Sequence, residues 1–185
     1  MKLLNTIFVA LFLLSTLIYL TGCDKTNTLV YTPVTRQYAA NTFSLSSIYG
    51  SGAVTVADGD LTNSFGVTAG ASTDINFFAH VPGATTVRDS LFGTFTFLGV
   101  ADSLYHLNFD TTKAFGVLRI KNTDNTFVRY YSINDPSSFI QINSYGILGE
   151  WINGTFSGKF VQKPAVTPQD TLTITNGQFS CYRRQ

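Results

Sequence analysis

The chain is poor in the residues that most often hold metals or perform catalysis. Its 185 residues include two cysteines, two histidines and a single glutamate, at position 150. Cys23 and Cys181 form no Cys-x-x-Cys pair, and His80 and His106 are far apart in sequence. The chain therefore lacks the ligand spacing of a zinc site. We expect no metal, no cofactor and no catalytic residue.

Charged residues are also few, at 12% of the sequence, with a formal net charge of +1. The basic residues are scattered, whereas nucleic-acid recognition needs them clustered on one face. A polybasic attachment to anionic lipid is disfavoured for the same reason. We therefore expect no nucleic-acid partner.

Strong helix formers are scarce, while the chain contains 16 Phe and 9 Tyr. No stretch keeps a period of 3.6 residues over three turns, and β-branched and aromatic residues fill the apolar runs. The predicted strands are Thr42–Ile48, Ala53–Ala57, Ile75–Val81, Leu91–Leu98, Leu104–Phe109, Phe115–Lys121, Thr126–Ile133, Phe139–Tyr145, Trp151–Gln162, Thr171–Thr175 and Gln178–Arg183. Short turns between them predict an all-β, antiparallel meander that forms a β-sandwich or a closed barrel, with a lipocalin-like barrel as the alternative.

One long apolar run extends from Ile7 to Leu20 and follows the positive charge of Lys2. It is shorter than the ~20 residues that a membrane-spanning helix needs, and it fits the hydrophobic region of a secretory signal peptide. The run ends in Leu20-Thr21-Gly22-Cys23, which resembles the bacterial lipobox. That resemblance implies cleavage before Cys23 and attachment of diacylglycerol to the Cys23 sulfur. The alternative is an uncleaved N-terminal anchor with an incidental cysteine.

These features divide the chain into a lipoprotein signal peptide (1–22), a lipidated cysteine with a tether (23–38) and a single all-β domain (39–185). We expect an exported protein, anchored in the cell membrane or outer membrane and facing the periplasm or the cell surface. The lipid bilayer is then a partner through acylated Cys23. Acylation also leaves Cys181 without a disulfide partner in the same chain. Its thiol is then either buried or paired between molecules, and burial is the favoured prediction.

Two arrangements fit the C-terminal sequence. Leu172 and Ile174 share one strand face, whereas Phe179 has the opposite parity. A hairpin turn at Asn176-Gly177 would bring these side chains to one face, and Asn-Gly is a strong hairpin signal. A glycine bulge within one long strand would do the same. The hairpin is the favoured prediction, and either arrangement turns Cys181 inward.

The same region carries a family resemblance. The motifs WINGTFSGKF and DTLTITNGQFSCY are similar to the end of a Bacteroidetes lipoprotein family that also has a lipobox. The matching positions are Ile152, Gly154, Thr155, Phe156, Thr173, Ile174, Thr175, Gly177 and Phe179. The resemblance covers the last third of the chain and the signal peptide. It implies an all-β lipoprotein domain and carries no catalytic residues.

Three short sequence patterns resemble functional sites only weakly, and each is better explained as part of a turn or strand. Asp58-Gly59-Asp60 with Asn63 suggests a calcium loop but lacks the downstream ligands of an EF-hand, so a turn is preferred. Ser157 is out of register with a nucleophile elbow and lies within a predicted strand. Glu150 has no obvious partner carboxylate for glycoside hydrolysis.

The surplus of aromatic residues is the more informative signal. Tyr130 and Tyr131 are adjacent in a strand, so one of them should face outward, and Trp151 lies on the polar face of its strand. Exposed Tyr and Trp can stack on sugars or anchor a protein partner. Alternatively, these rings cover a second sheet. We expect a membrane-anchored, non-catalytic binding or structural module for a glycan or an envelope protein. A polysaccharide hydrolase and a small-ligand-binding barrel are the alternatives.

Overall fold

The computed structural model describes residues 31–56, 72–82, 90–99, 101–109, 113–121, 126–164 and 170–183. The chain divides into two compact units, 1–32 and 33–185, and almost all described residues belong to the second. Cys23 and the Asp58–Asp60 turn lie outside the described residues. No helix in the described ranges is long and apolar enough to cross a membrane.

The second unit is built from antiparallel strands, and no described residue is helical. The strands are β1 (Asn41–Ser47), β2 (Gly50–Val56), β3 (Ser72–His80), β4 (Ser90–Leu98), β5 (Leu104–His106), β6 (Ala114–Lys121), β7 (Phe127–Ser132), β8 (Phe139–Tyr145), β9 (Trp151–Gln162) and β10 (Thr171–Tyr182). The predicted all-β antiparallel class is confirmed.

The strands form one sheet in the order β2-β1-β10-β9-β7-β6-β4-β3. Strand β9 is the branch point: β10 follows one of its edges, while β8 and β7 share the other. Strand β8 pairs with Ile152–Ser157 of β9 and β7 pairs with Phe160–Gln162. Strand β5 adds to the free edge of β8. The sheet curls into a half-barrel.

Phenylalanine rings fill the concave side of the curled sheet. Phe156 on β9 lies at the centre, with its ring centroid 5.0 Å from that of Phe95 and 5.7 Å from that of Phe43. Phe43 on β1 also contacts Phe77 on β3 at 5.5 Å, which joins strands from opposite ends of the sheet. Burying each such side chain contributes about 1.5–3 kcal/mol. Within the described residues, packed aromatic side chains therefore occupy the concave side of the sheet.

Small residues on the inner face of β9 allow this close packing. A Cβ atom on Gly154 would lie 2.3 Å from the Gln141 carbonyl oxygen and 2.6 Å from Cζ of Phe179. Glycine therefore lets both the neighbouring strand and an aromatic ring approach β9 closely.

The predicted hairpin at Asn176-Gly177 is wrong, because β10 is one strand with a bulge. Between Ile174 and Gly177 the register against β9 shifts by one residue, and Asn176 takes a left-handed conformation with φ of 53°. The bulge reverses side-chain parity as a hairpin would, yet it keeps both halves of β10 paired with β9. A hairpin would have separated the second half from β9.

Cys181 is buried, as the parity of β10 predicts. Burial raises the pKa of its thiol well above the ordinary value. The thiol is therefore protonated at neutral pH and behaves as a small apolar core group.

Candidate functional site: an aromatic and basic groove

A groove of about 490 Å³ lies on the outer face of the sheet, centred on β7. Side chains alternate along a strand, so Phe127, Arg129 and Tyr131 point outward while Tyr130 points into the core. The residues that line the groove are Phe109, Phe127, Arg129, Tyr131, Lys163 and Pro164.

Rings and cations are in direct contact within the groove. The ring centroids of Phe109 and Tyr131 are 4.1 Å apart. Lys163 Nζ lies 5.0 Å from the Phe109 centroid and 5.9 Å from the Tyr131 centroid, within cation–π range. The Lys163 backbone N–H donates to the Arg129 carbonyl oxygen at 3.0 Å, which fixes Lys163 beside β7.

Aromatic and basic side chains continue from the groove across the outer face of β6, β4 and β3. Phe127 contacts Phe92 at 5.6 Å, and Phe92 contacts Phe78 at 4.8 Å. The Arg119 guanidinium lies 6.0 Å from the Phe92 centroid. Arg119 on β6 is directly opposite Arg129 on β7 in the strand register. The groove is therefore continuous with a wider aromatic and basic surface.

Strand register brings these cations together although they are scattered in the sequence. Arg119 and Arg129 are ten positions apart but directly opposite each other, and Lys121 is opposite Phe127. Lys163 reaches the same face from the end of β9. The alternation of each strand signals which side chains point outward, but no local signal identifies their neighbours. Arg129 and Lys163 were therefore not among the residues that the sequence predicts for a site.

The two adjacent tyrosines have different environments. Tyr131 is half-buried and lines the groove, so one member of the pair faces outward as predicted. Tyr130 is fully buried, and its hydroxyl donates to the Asp170 carboxylate. Burial, followed by the hydrogen bond to Asp170, raises the pKa of Tyr130 above its ordinary value. Tyr130 therefore offers no ring at the surface.

Trp151 does not join Tyr131 in one site. It lies at the first residue of β9, while the groove lies at the other end of that strand, where β7 pairs with Phe160–Gln162. At ~3.3 Å per residue, the two ends of β9 are about 35 Å apart. The Trp151 ring is instead covered by the Arg36 guanidinium at 5.3 Å and by Tyr182 at 5.6 Å.

Asp135 and Glu150 accept hydrogen bonds from separate donors. Asp135 accepts from Lys159 Nζ at 2.9 Å and Glu150 Oε2 accepts from the Val34 N–H at 3.3 Å. Ser157, within β9, donates to the Ile174 carbonyl oxygen at 3.0 Å. Across the described ranges, no group of three or more His, Cys, Asp or Glu residues is arranged to hold a metal ion.

The chain matches no protein-family model, no curated protein and no solved structure. Membership of the Bacteroidetes lipoprotein family therefore stays a prediction.

Proposed function

We propose that the protein is a lipid-anchored, non-catalytic binding module of the cell envelope, and that its groove binds an acidic glycan. The observation that carries the proposal is the direct contact of Phe109 and Tyr131 with Lys163 at an outward-facing groove, with Arg129 beside them. The lipobox at Leu20–Cys23 supports the anchor.

An acidic glycan suits each component of the groove. The apolar C–H face of a sugar ring can stack on the rings of Phe127, Phe109 or Tyr131, as aromatic side chains bury large areas with defined geometry. Arg129 and Lys163 can form charge-assisted hydrogen bonds with carboxylate groups on the sugar. Arginine is suited to this role because its planar guanidinium binds carboxylates through two parallel hydrogen bonds.

The shape of the site also favours a chain-like ligand. The groove is shallow and continues onto the aromatic and basic surface formed by Phe92 and Arg119. A polymer can follow such a surface across neighbouring strands and contact several rings and cations at once. Many weak contacts along one chain raise the overall affinity without a deep pocket.

The proposal is tested by calorimetric titration of the full-length protein in detergent micelles with oligogalacturonate. A neutral maltooligosaccharide of the same length is the comparison. We expect tighter binding of the acidic chain. Arg129→Gln should weaken it about tenfold, which corresponds to about 1.4 kcal/mol. Phe127→Ala should weaken it to a similar extent through lost stacking.

Arg183→Gln is the matched control, because it removes one positive charge at the opposite end of β9. It should bind oligogalacturonate as the wild type does. Equal binding of the acidic and neutral chains, or unchanged affinity in both groove variants, would contradict the proposed site.

A further inference from the structure

The end of the second unit opposite the groove exposes an apolar patch. Ile147 and Leu148, in the turn between β8 and β9, are 55% and 48% exposed, and Tyr182 is 42% exposed. A Cβ atom on Gly149 would lie 3.6 Å from the Tyr182 hydroxyl oxygen, so the turn lies against the end of β10. Trp151 pairs with Tyr182 across β9 and β10. We call Ile147, Leu148, Trp151 and Tyr182 the terminal patch.

Two arginines flank the terminal patch. The Arg36 guanidinium lies 5.3 Å from the centre of the Trp151 ring. The Arg183 guanidinium lies 5.0 Å from the Tyr145 centroid and donates from Nη1 to the Gly146 carbonyl oxygen at 3.0 Å. The patch thus combines exposed aliphatic side chains with Trp, Tyr and arginine. Proteins place this combination of residues at a membrane–water interface.

The N-terminal segment of the second unit is fixed beside this patch. The Val34 carbonyl oxygen accepts from the Trp151 N–H at 3.4 Å, and its N–H donates to Glu150 Oε2 at 3.3 Å. The Thr35 carbonyl oxygen accepts from Asn153 Nδ2 at 2.9 Å. Although the sequence assigns these residues to the tether, they hold the chain against the start of β9.

We infer that the terminal patch sits in the headgroup region of the membrane that carries the lipid anchor. The inference rests on the proposed function, because it requires Cys23 to be acylated. Cys23 precedes Pro33 by ten residues, a length that spans at most about 36 Å when fully extended. The bilayer is therefore within reach of the patch, and the composition of the patch suits the interface.

This arrangement orients the protein. With the first residue of β9 at the membrane, the last residue of β9 and the groove lie about 35 Å away along the strand. The groove then opens toward the envelope space, where a polymer can reach it.

Trp151 is the only tryptophan in the chain, so its fluorescence reports on the patch directly. Full-length acylated protein is reconstituted into phosphatidylcholine vesicles whose lipids carry bromine either near the headgroup or deep in the acyl chain. We expect the shallow bromine to quench Trp151 emission more than the deep bromine. The double variant Ile147→Asp, Leu148→Asp should lose most of this quenching, because charged side chains leave the apolar region.

Ile48→Asp is the matched control, since Ile48 is 76% exposed in the turn between β1 and β2 at the other end of the sheet. It should be quenched as the wild type is. Unquenched wild-type protein that still floats with the vesicles would overturn the inference while leaving the anchor intact. Failure of the protein to float would contradict the anchor itself, and the inference with it.

Discussion

Asp135 shows at the scale of one residue how the loops are held. Its carboxylate accepts from the Ser137 hydroxyl and from the Ser137 N–H at 2.9 Å, and it forms an ion pair with Lys159 at 2.9 Å. These bonds attach the turn that follows β7 to β9. The hydrogen bonds from Ser137, followed by that from Lys159, lower the pKa of Asp135 from 3.8 to about 2.

Asp135 therefore predicts an acid-sensitive contribution to stability. Because the pKa is lower in the folded state, the contribution is complete above pH 3.8 and is lost as the pH falls through about 2. Asp135→Asn should lower the Tm at neutral pH, and the difference from wild type should shrink as the pH approaches 2. Thermal unfolding followed by circular dichroism over this pH range measures the effect.

Asp102→Asn, in another exposed loop, provides the control for that experiment. A difference in Tm between wild type and Asp135→Asn that stays constant down to the acid limit would refute the role given to this carboxylate.

The alternation of side chains between the two faces of a strand determines how much of the site could be predicted from the sequence. Tyr130 and Tyr131 had to point in opposite directions, and the outward member, Tyr131, lines the groove. Arg129 and Lys163 could not be assigned to the same site. Their proximity depends on the end of β9 lying beside β7, which is set by pairing between segments distant in sequence.

The bounds of several strands follow directly from the sequence. Phe139–Tyr145 and Trp151–Gln162 have the predicted bounds, because alternating apolar residues are bracketed there by turn-forming ones. The predicted strand Leu104–Phe109 ends at His106 instead. From Leu107 onward its backbone N–H groups donate to several different segments, including Ser138 and Ala114, and no longer follow one partner strand.

The bulge in β10 shows why parity alone does not determine topology. A hairpin and a bulge both shift the alternation by one residue, so the local sequence fits either. The pairing with β9 distinguishes the bulge from the hairpin. Strand β9 is 12 residues long, and β10 pairs with almost all of it as one continuous strand. That information lies in tertiary pairing and not in Asn176-Gly177 itself.

The bulge predicts a specific pattern of stability at position 176. Asn176 has a φ of 53°, where a β-branched residue is strained. Asn176→Val should lower the free energy of unfolding by about 1–2 kcal/mol, and Asn176→Gly should change it by less than about 1 kcal/mol. Urea unfolding of the full-length protein in detergent micelles measures both.

Thr175→Val is the control, because residue 175 lies in the same strand without a positive φ. The bulge assignment fails if Asn176→Val is as stable as Asn176→Gly, since an ordinary extended strand has no positive φ at this position.

At the scale of the whole molecule, the two ends of β9 have different surroundings. The first residue lies beside the fixed N-terminal segment and the terminal patch, and the last lies beside the groove. The terminal patch and the proposed binding surface are thereby separated along the long axis of one strand. Interactions at the groove and attachment to the membrane can then occur together.

The most direct test of this account is whether Cys23 carries the lipid. Wild type, Cys23→Ala and Cys181→Ala are expressed with labelled palmitate in a bacterium that processes lipoproteins, and cells are separated into membrane and soluble fractions. Wild type and Cys181→Ala should be labelled and membrane-bound, because Cys181 is buried in the core. Cys23→Ala should lose the label and become soluble, since the acyl chains supply the membrane affinity. Cys23→Ala that stays in the membrane fraction would contradict the account.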